Sequence, residues 1–191
     1  IKLKRAISVQ KMTIEPYTCP LDPETNCTLK LYLYKNVKNV EEIRNNVIKG
    51  IWNCAVIKPN LILDPFQVIV AANKAVVSEK GGGMVTKTVH SEILYNLSLT
   101  RNISQSLCRF GAEAGDALLL CVIQQANSEN KTDYILKHID GEMMPMSELR
   151  SLSDVNEIKN VYKLNKMNMK SDYDLLDNIV SRIVTKNFIS F

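Results

Sequence analysis

The stretch 61–77, LILDPFQVIVAANKAVV, constrains the fold more than any other part of the chain. It reads as a short apolar strand, 61–63, running into a capped and almost wholly apolar helix. Asp64 suits the N-cap, Pro65 suits the first helical position, and Gln67 at N3 can reach back to the cap. The helix is expected over about 65–80. Phe66, Ile69, Val70, Val76 and Val77 give it more apolar surface than one core face needs. Ala71, Ala72 and Ala75 leave room for another backbone to come close. Such a helix is either deeply buried or shared with a partner.

The rest of the chain can bury that helix. Its 191 residues, 46% hydrophobic and 23% charged, suit one domain with a real core. No apolar run approaches the roughly 18 residues of a membrane span. The net charge of +4 misleads, because Lys2, Lys4, Arg5 and Lys11 precede Met12 with no acid among them. Without them twenty basic residues face twenty acidic ones. Met12 is the expected natural start, with residues 1–11 upstream of it, so the overall basicity is no argument for nucleic-acid binding. Local charge is more telling. Residues 74–109 hold five basic and two acidic side chains, and 113–157 hold nine acidic and three basic. A basic face and an acidic face are one reading of this, and an ordinary solvated surface is the other. Five cysteines with no CxxC pair predict a reduced, intracellular protein using them as small hydrophobes. The four N-x-S/T sequons, at Asn26, Asn96, Asn102 and Asn130, read as chance matches.

Residues 1–26, with Pro16, Pro20 and Pro23, are expected to be an N-terminal extension, extended or partly loose. Residues 27–34 alternate as a half-buried strand, with Leu29, Leu31 and Leu33 inward. Asn39 and Glu42 mark a capping box for a helix carrying Val40, Ile43 and Val47, closed by Gly50. Residues 54–57 form a short strand. The pattern also predicts a helix within 85–97, with Val89, Ile93 and Leu97 on one face, and another capped by Asn102, with Ile103, Leu107 and Phe110 inward. The apolar run in 116–124 is a central strand covered on both faces. Helices follow at 132–139, after Asp154, and from about Ser171. The last carries a broad stripe of Leu175, Leu176, Ile179, Val180, Ile183 and Val184. This order predicts a single compact α/β (α+β) domain over 27–191, with a small mixed sheet packed against several helices.

Catalytic patterns fail on spacing. Gly81-Gly82-Gly83 follows a helix and lacks the GxxxxGK[ST] arrangement of a phosphate loop. His90 and His138 are far apart and have no second ligand at a metal-site spacing. Carboxylate pairs such as Asp172/Asp174 sit at helix starts, where the dipole favours them. No active site, metal or cofactor is expected. What remains is binding. Lys87, Arg101 and Arg109 are candidates for phosphate contacts, and His90 and Tyr95 for stacking on unpaired bases.

Several segments together resemble one family. They are Lys38-Asn39-Val40 with Ile43-Arg44, Leu63 through Val76, Thr86-Lys87-Thr88, Ser91 through Ser98, Asn102-Ile103-Ser104, Phe110-Gly111, Val161 through Leu164, and the final helix over 175–186. In that order they are similar to the TPRKB family, small accessory subunits of the KEOPS complex. The resemblance implies a small mixed α/β fold without catalytic activity of its own. It implies docking to the PRPK-type atypical kinase/ATPase subunit, and through it to the catalytic KEOPS subunit. It also implies recruitment of tRNA by its 3′ CCA end for threonylcarbamoyl-adenosine formation beside the anticodon, in cytoplasm and nucleus. On this reading the kinase contacts are Ile93, Leu94, Tyr95, Leu97, Leu176, Ile179 and Ile183. The tRNA contacts are Lys74, Lys80, Lys87, Arg101 and Arg109. Residues 1–16, the Gly81–Gly83 loop and 141–153 depart from the family pattern. A free-standing RNA-binding module and a small-molecule enzyme are the alternatives.

Overall fold

The computed structural model describes residues 14–113, 115, 117–126 and 132–189, so residues 1–11, expected to lie upstream of the natural start, are outside the described residues. Its strands are β1 (Tyr17–Pro20), β2 (Cys27–Lys35), β3 (Ala55–Ile57), β4 (Ala117–Gln125) and β5 (Glu142–Met144). Its helices are α1 (Val40–Ile48), α2 (Pro65–Lys80), α3 (Val89–Leu97), α4 (Ile103–Phe110), α5 (Thr132–Lys137), α6 (Leu149–Leu152), α7 (Val155–Val161) and α8 (Asp172–Thr185). The sheet order is β1-β2-β4-β3, with β5 beside β1 on the same edge of β2.

The α/β domain is the expected one, but the sheet is antiparallel in every pairing among the described strands. The double-sided burial of β4 comes from helices on both faces, not from parallel neighbours. On one face Leu29, Leu31, Leu33, Leu119 and Cys121 pack against α2, α3, α7 and α8. On the other, Tyr32, Tyr34, Leu118, Leu120 and Val122 pack against α1, Trp52 and Ile135 of α5. β2 is therefore covered on both faces at its Tyr32–Tyr34 end, not half-buried. Residues 17–25, expected to be extended or partly loose, supply β1 and a 3-10 turn (Pro23–Thr25). The expected strand at 61–63 is absent. Pro59–Leu61 forms a 3-10 turn instead, because Pro59 fixes a turn-compatible backbone and removes a ladder donor.

α2 has the predicted span and cap. Asp64 accepts from the Phe66 amide at 2.8 Å, with Pro65 behind it. Gln67 does not close a capping box. Its Oε1 accepts from Leu63 N, and its Nε2 donates to Leu61 O and to the Tyr162 hydroxyl. The Tyr162 hydroxyl in turn donates to Leu97 O at 2.6 Å. This buried chain joins the turn before α2, the end of α7 and the end of α3. Ala71, Ala72 and Ala75 are fully buried. Their close approach is taken by α3, whose Asn96 Nδ2 donates to Ala71 O. The small-residue face of α2 is thus internal, and Phe66 and Val77 are what it leaves exposed.

Other local expectations fail for identifiable reasons. Asn39 makes no side-chain cap on α1. It is used to hold the 138–140 turn, donating to His138 O and accepting from Asp140 N. On α4, Phe110 is buried, but Ile103 is exposed and Leu107 half-buried. This eight-residue helix at the rim buries only Ser106 and Phe110, and Gly111 after it bridges to Ile57.

Candidate docking face and basic residues

Ser171 caps α8 by accepting from Asp174 N, and Asp172 and Asp174 in the first turn favour the helix dipole. Apolar residues then recur in adjacent pairs every four positions: 175/176, 179/180 and 183/184. Adjacent residues on a helix point about 100° apart, so one contact cannot cover both members of a pair. Leu175, Ile179 and Ile183 enter the core. Leu176 and Val180 are half-buried, and Val184 is 46% exposed. Tyr173 at one end and Phe188 at the other extend this outer row, at 81% and 84% exposure. Helical bonding continues past α8, because the amides of Phe188 and Ile189 donate to Thr185 O. Tyr173, Leu176, Val180, Val184 and Phe188 thus form a row roughly 22 Å long at a rise of about 1.5 Å per residue.

The residues expected to contact a kinase fall on both sides of this division. Ile93, Leu97, Ile179 and Ile183 are fully buried in this chain's own core, and Tyr95 is nearly so. Leu94 and Leu176 are half-buried at its edge. The buried ones pack inside the protomer; one residue along from Ile179 and Ile183, Val180 is half-buried and Val184 exposed. Tyr173 and Phe188, which lie on the same outer row, were not singled out from the sequence. Their signal was the continuation of the same helical spacing beyond the aliphatic run.

The five basic residues expected to meet tRNA do not all stand free. Lys74 is half-buried, and its Nζ donates to Ile183 O at 2.6 Å and Val184 O at 3.3 Å, closing the C-terminal end of α8. Burial lowers its pKa, against an opposing pull from Glu92. Arg101 is exposed and donates from one terminal nitrogen to Asn187 O. Lys80 pairs with Glu24 at 3.0 Å. Lys87 and Arg109 are exposed.

Sequence reasoning overlooked Lys186. It is 1% exposed, its Nζ lies 3.2 Å from the centroid of the Tyr95 ring, and it donates to Tyr95 O. Burial is the main reason its pKa falls from 10.5 to about 7, and Lys74 adds repulsion. Between those two values the unfolded chain holds a proton that the folded chain does not. Stability therefore rises with pH through this window and is lost as pH falls toward 7. From about pH 7 to pH 9 the gain is at most about 2.7 kcal/mol. Above that, buried Cys54, whose pKa is raised from 9.0 to about 12, acts in the opposite sense. Thermal melts should show the transition rising more steeply between pH 7 and pH 9 in wild type than in Lys186→Met, which keeps only the smaller contribution of Lys74; equal slopes would refute this assignment.

A cavity of about 720 Å³ lies between residues 51–53, the start of α3 and α5. Trp52, Lys87, His90 and Tyr134 are among its lining residues. His90 is the second residue of α3, behind the Thr88 cap. Burial lowers its pKa to about 4, so its ring is neutral at pH 7, and its Nε2 is buried without a partner among the described residues. The ring that does face solvent here is that of Tyr134, 57% exposed, with its centroid 4.2 Å from that of His138 and the two planes tilted by 41°. Glu92, on the other side of α3, is buried and accepts from the amides of Val85 and Thr86 and from the Thr86 hydroxyl. It fixes the loop that carries Lys87. Among the described residues no three His, Cys, Asp or Glu side chains gather closely enough to hold a metal ion.

Comparison with known proteins bears on the apolar row. The family described as kinase binding protein CGI-121 matches residues 34–187. The chain is 35% identical over 161 residues to the EKC/KEOPS complex subunit TPRKB of Danio rerio, covering 84% of this chain and 91% of that protein. It is 30% identical over 146 residues to the EKC/KEOPS complex subunit CGI121 of Yarrowia lipolytica, covering 74% and 83%. It is 27% identical over 175 residues to the corresponding subunit of Schizosaccharomyces pombe, covering 88% and 98%. The matched span takes in the end of β2, strands β3 to β5 and α1 through α8, and on that extent the chain belongs to the CGI-121 family of kinase-binding proteins.

Proposed function

We propose that this chain is a non-catalytic subunit of a KEOPS-type complex, which docks the kinase/ATPase subunit of that complex through the outer row of α8. The observation that carries the reading is the uncovered row Tyr173, Leu176, Val180, Val184 and Phe188 on a chain of a kinase-binding family. A long apolar row on a helix is what a partner's surface covers. Its relatives bear the names of KEOPS subunits, which supports the same assembly for this chain. Through the kinase it joins the catalytic subunit and assists threonylcarbamoyl-adenosine formation on tRNA, in cytoplasm and nucleus.

The tRNA enters by its unpaired 3′ end. The cavity beside Lys87 suits such an end better than the basic residues at the C-terminal end of α8. It combines an exposed cation with the exposed ring of Tyr134, and unpaired bases stack on aromatic rings while phosphates seek cations. The test mixes the purified chain with the kinase-type subunit of the same source. A 1:1 complex on size exclusion and faster tRNA modification by the completed assembly are expected. Separate elution at tens of micromolar, with no change in rate, contradicts the reading.

A further inference from the structure

The outer row of α8 ends at a positively charged pole. Lys74 from α2 and Arg101 from the loop after α3 reach the main chain of 183–187, and Lys186 lies within that segment, just past α8. Lys74 and Arg101 donate to carbonyls within 183–187, and Lys186 donates to Tyr95 O. The carboxylate that acts on both lysines is Glu92. Its oxygens already accept from Val85, Thr86 and the Thr86 hydroxyl. The charged groups that act on Lys186 are thus Lys74, Arg101 and Glu92; with the one carboxylate already engaged, basic groups outnumber acidic ones at this pole, although Lys186 itself, its pKa lowered to about 7, is only partly charged at neutral pH. Arg101 is its exposed member. The single bond that the described residues give its guanidinium, to Asn187 O at 3.3 Å, leaves most of a five-donor fork open to solvent. Beside it the chain presents Val184, Phe188 and Ile189, all exposed.

We propose that this pole receives a carboxylate from an acidic, apolar-flanked segment of the protein docked on α8, with Arg101 as its bidentate partner. The proposal rests on the docking reading above and adds the partner's chemistry at one end of the interface. Complementarity favours a protein segment over RNA. A nucleic-acid backbone is followed by a series of exposed cations, whereas Lys74 and Lys186 have their ammonium groups turned onto main-chain carbonyls. Apolar side chains beside a single open guanidinium match a carboxylate set among apolar residues. The buried lysines supply field, and Arg101 supplies the contact.

The experiment measures affinity for the purified kinase-type subunit, and separately for unmodified tRNA, at about 50 and about 500 mM NaCl. Arg101→Glu should bind the kinase subunit at least about 10-fold more weakly than wild type at low salt, with Arg101→Lys between them. The gap should narrow at high salt, as a charge contact at an interface rim requires. Circular dichroism should show all three proteins equally folded, since Arg101 is exposed. Kinase affinity unchanged in Arg101→Glu at both salts overturns the proposal. So does a loss confined to tRNA affinity, which would make the pole an RNA contact. If wild type itself fails to bind the kinase subunit, the docking reading falls and the proposal with it.

Discussion

Ile179→Asp should leave no folded population at 25 °C, while Val184→Asp, just over one helical turn further along α8, should fold and melt within a few degrees of wild type. Ile179 is fully buried between α8 and the rest of the core, and Val184 is 46% exposed. Truncating a buried isoleucine costs about 2–5 kcal/mol through lost transfer energy and the cavity left behind. A carboxylate placed there adds the cost of burying an unpaired charge, or of holding it protonated against its ordinary pKa. Together these match the whole stability of a domain of this size, about 5–15 kcal/mol. An aspartate at Val184 stays in water and loses only part of a side-chain contact. Far-UV circular dichroism and urea titration of the two variants read the difference directly. A cooperative unfolding transition in Ile179→Asp near that of wild type would show that the inner row of α8 is not core.

That contrast marks where the sequence was readable and where it was not. The span and cap of α2 followed from local chemistry, because Asp64, Pro65 and the apolar run that follows act within one or two turns. The central position of β4 followed from an unbroken apolar run that only two covered faces could accommodate. The inner and outer rows of α8 did not separate, because residues 175/176, 179/180 and 183/184 are equally apolar. Choosing between two stripes 100° apart depends on how the helix rolls against α2, which is tertiary information. The alanines of α2 posed the same ambiguity, and α3 resolved it from within the chain through Asn96. The 74–109 basic segment looked like one face but is divided by the fold. Lys74 and Arg101 close the end of α8, Lys80 meets Glu24, and Lys87 stands at the cavity on the far end of α3. Gln67 was legible as an N3 residue, but its partner Tyr162 lies 95 positions away. No local pattern could supply that pairing.

Substitutions in the outer row are expected to have the largest functional effect. In a docked complex, Val180 and Val184 would lie under the partner in a desolvated contact. Arginine at both positions would bury two cations with no counter-charge and would prop the surfaces apart. Hot-spot truncations at interface centres commonly cost 2 kcal/mol or more each, and two desolvated charges cost further. The Val180→Arg/Val184→Arg protein should therefore bind at least about 100-fold more weakly than wild type. Its fold should be retained, because Val180 is half-buried and Val184 exposed, and arginine can lay its stem along the helix while its head reaches water. Isothermal titration of wild type and this double variant against the purified kinase-type subunit is the most direct test. A loss of at least about 100-fold with an unchanged melting temperature is expected; wild-type affinity in a folded double variant would show that α8 does not form the docking face.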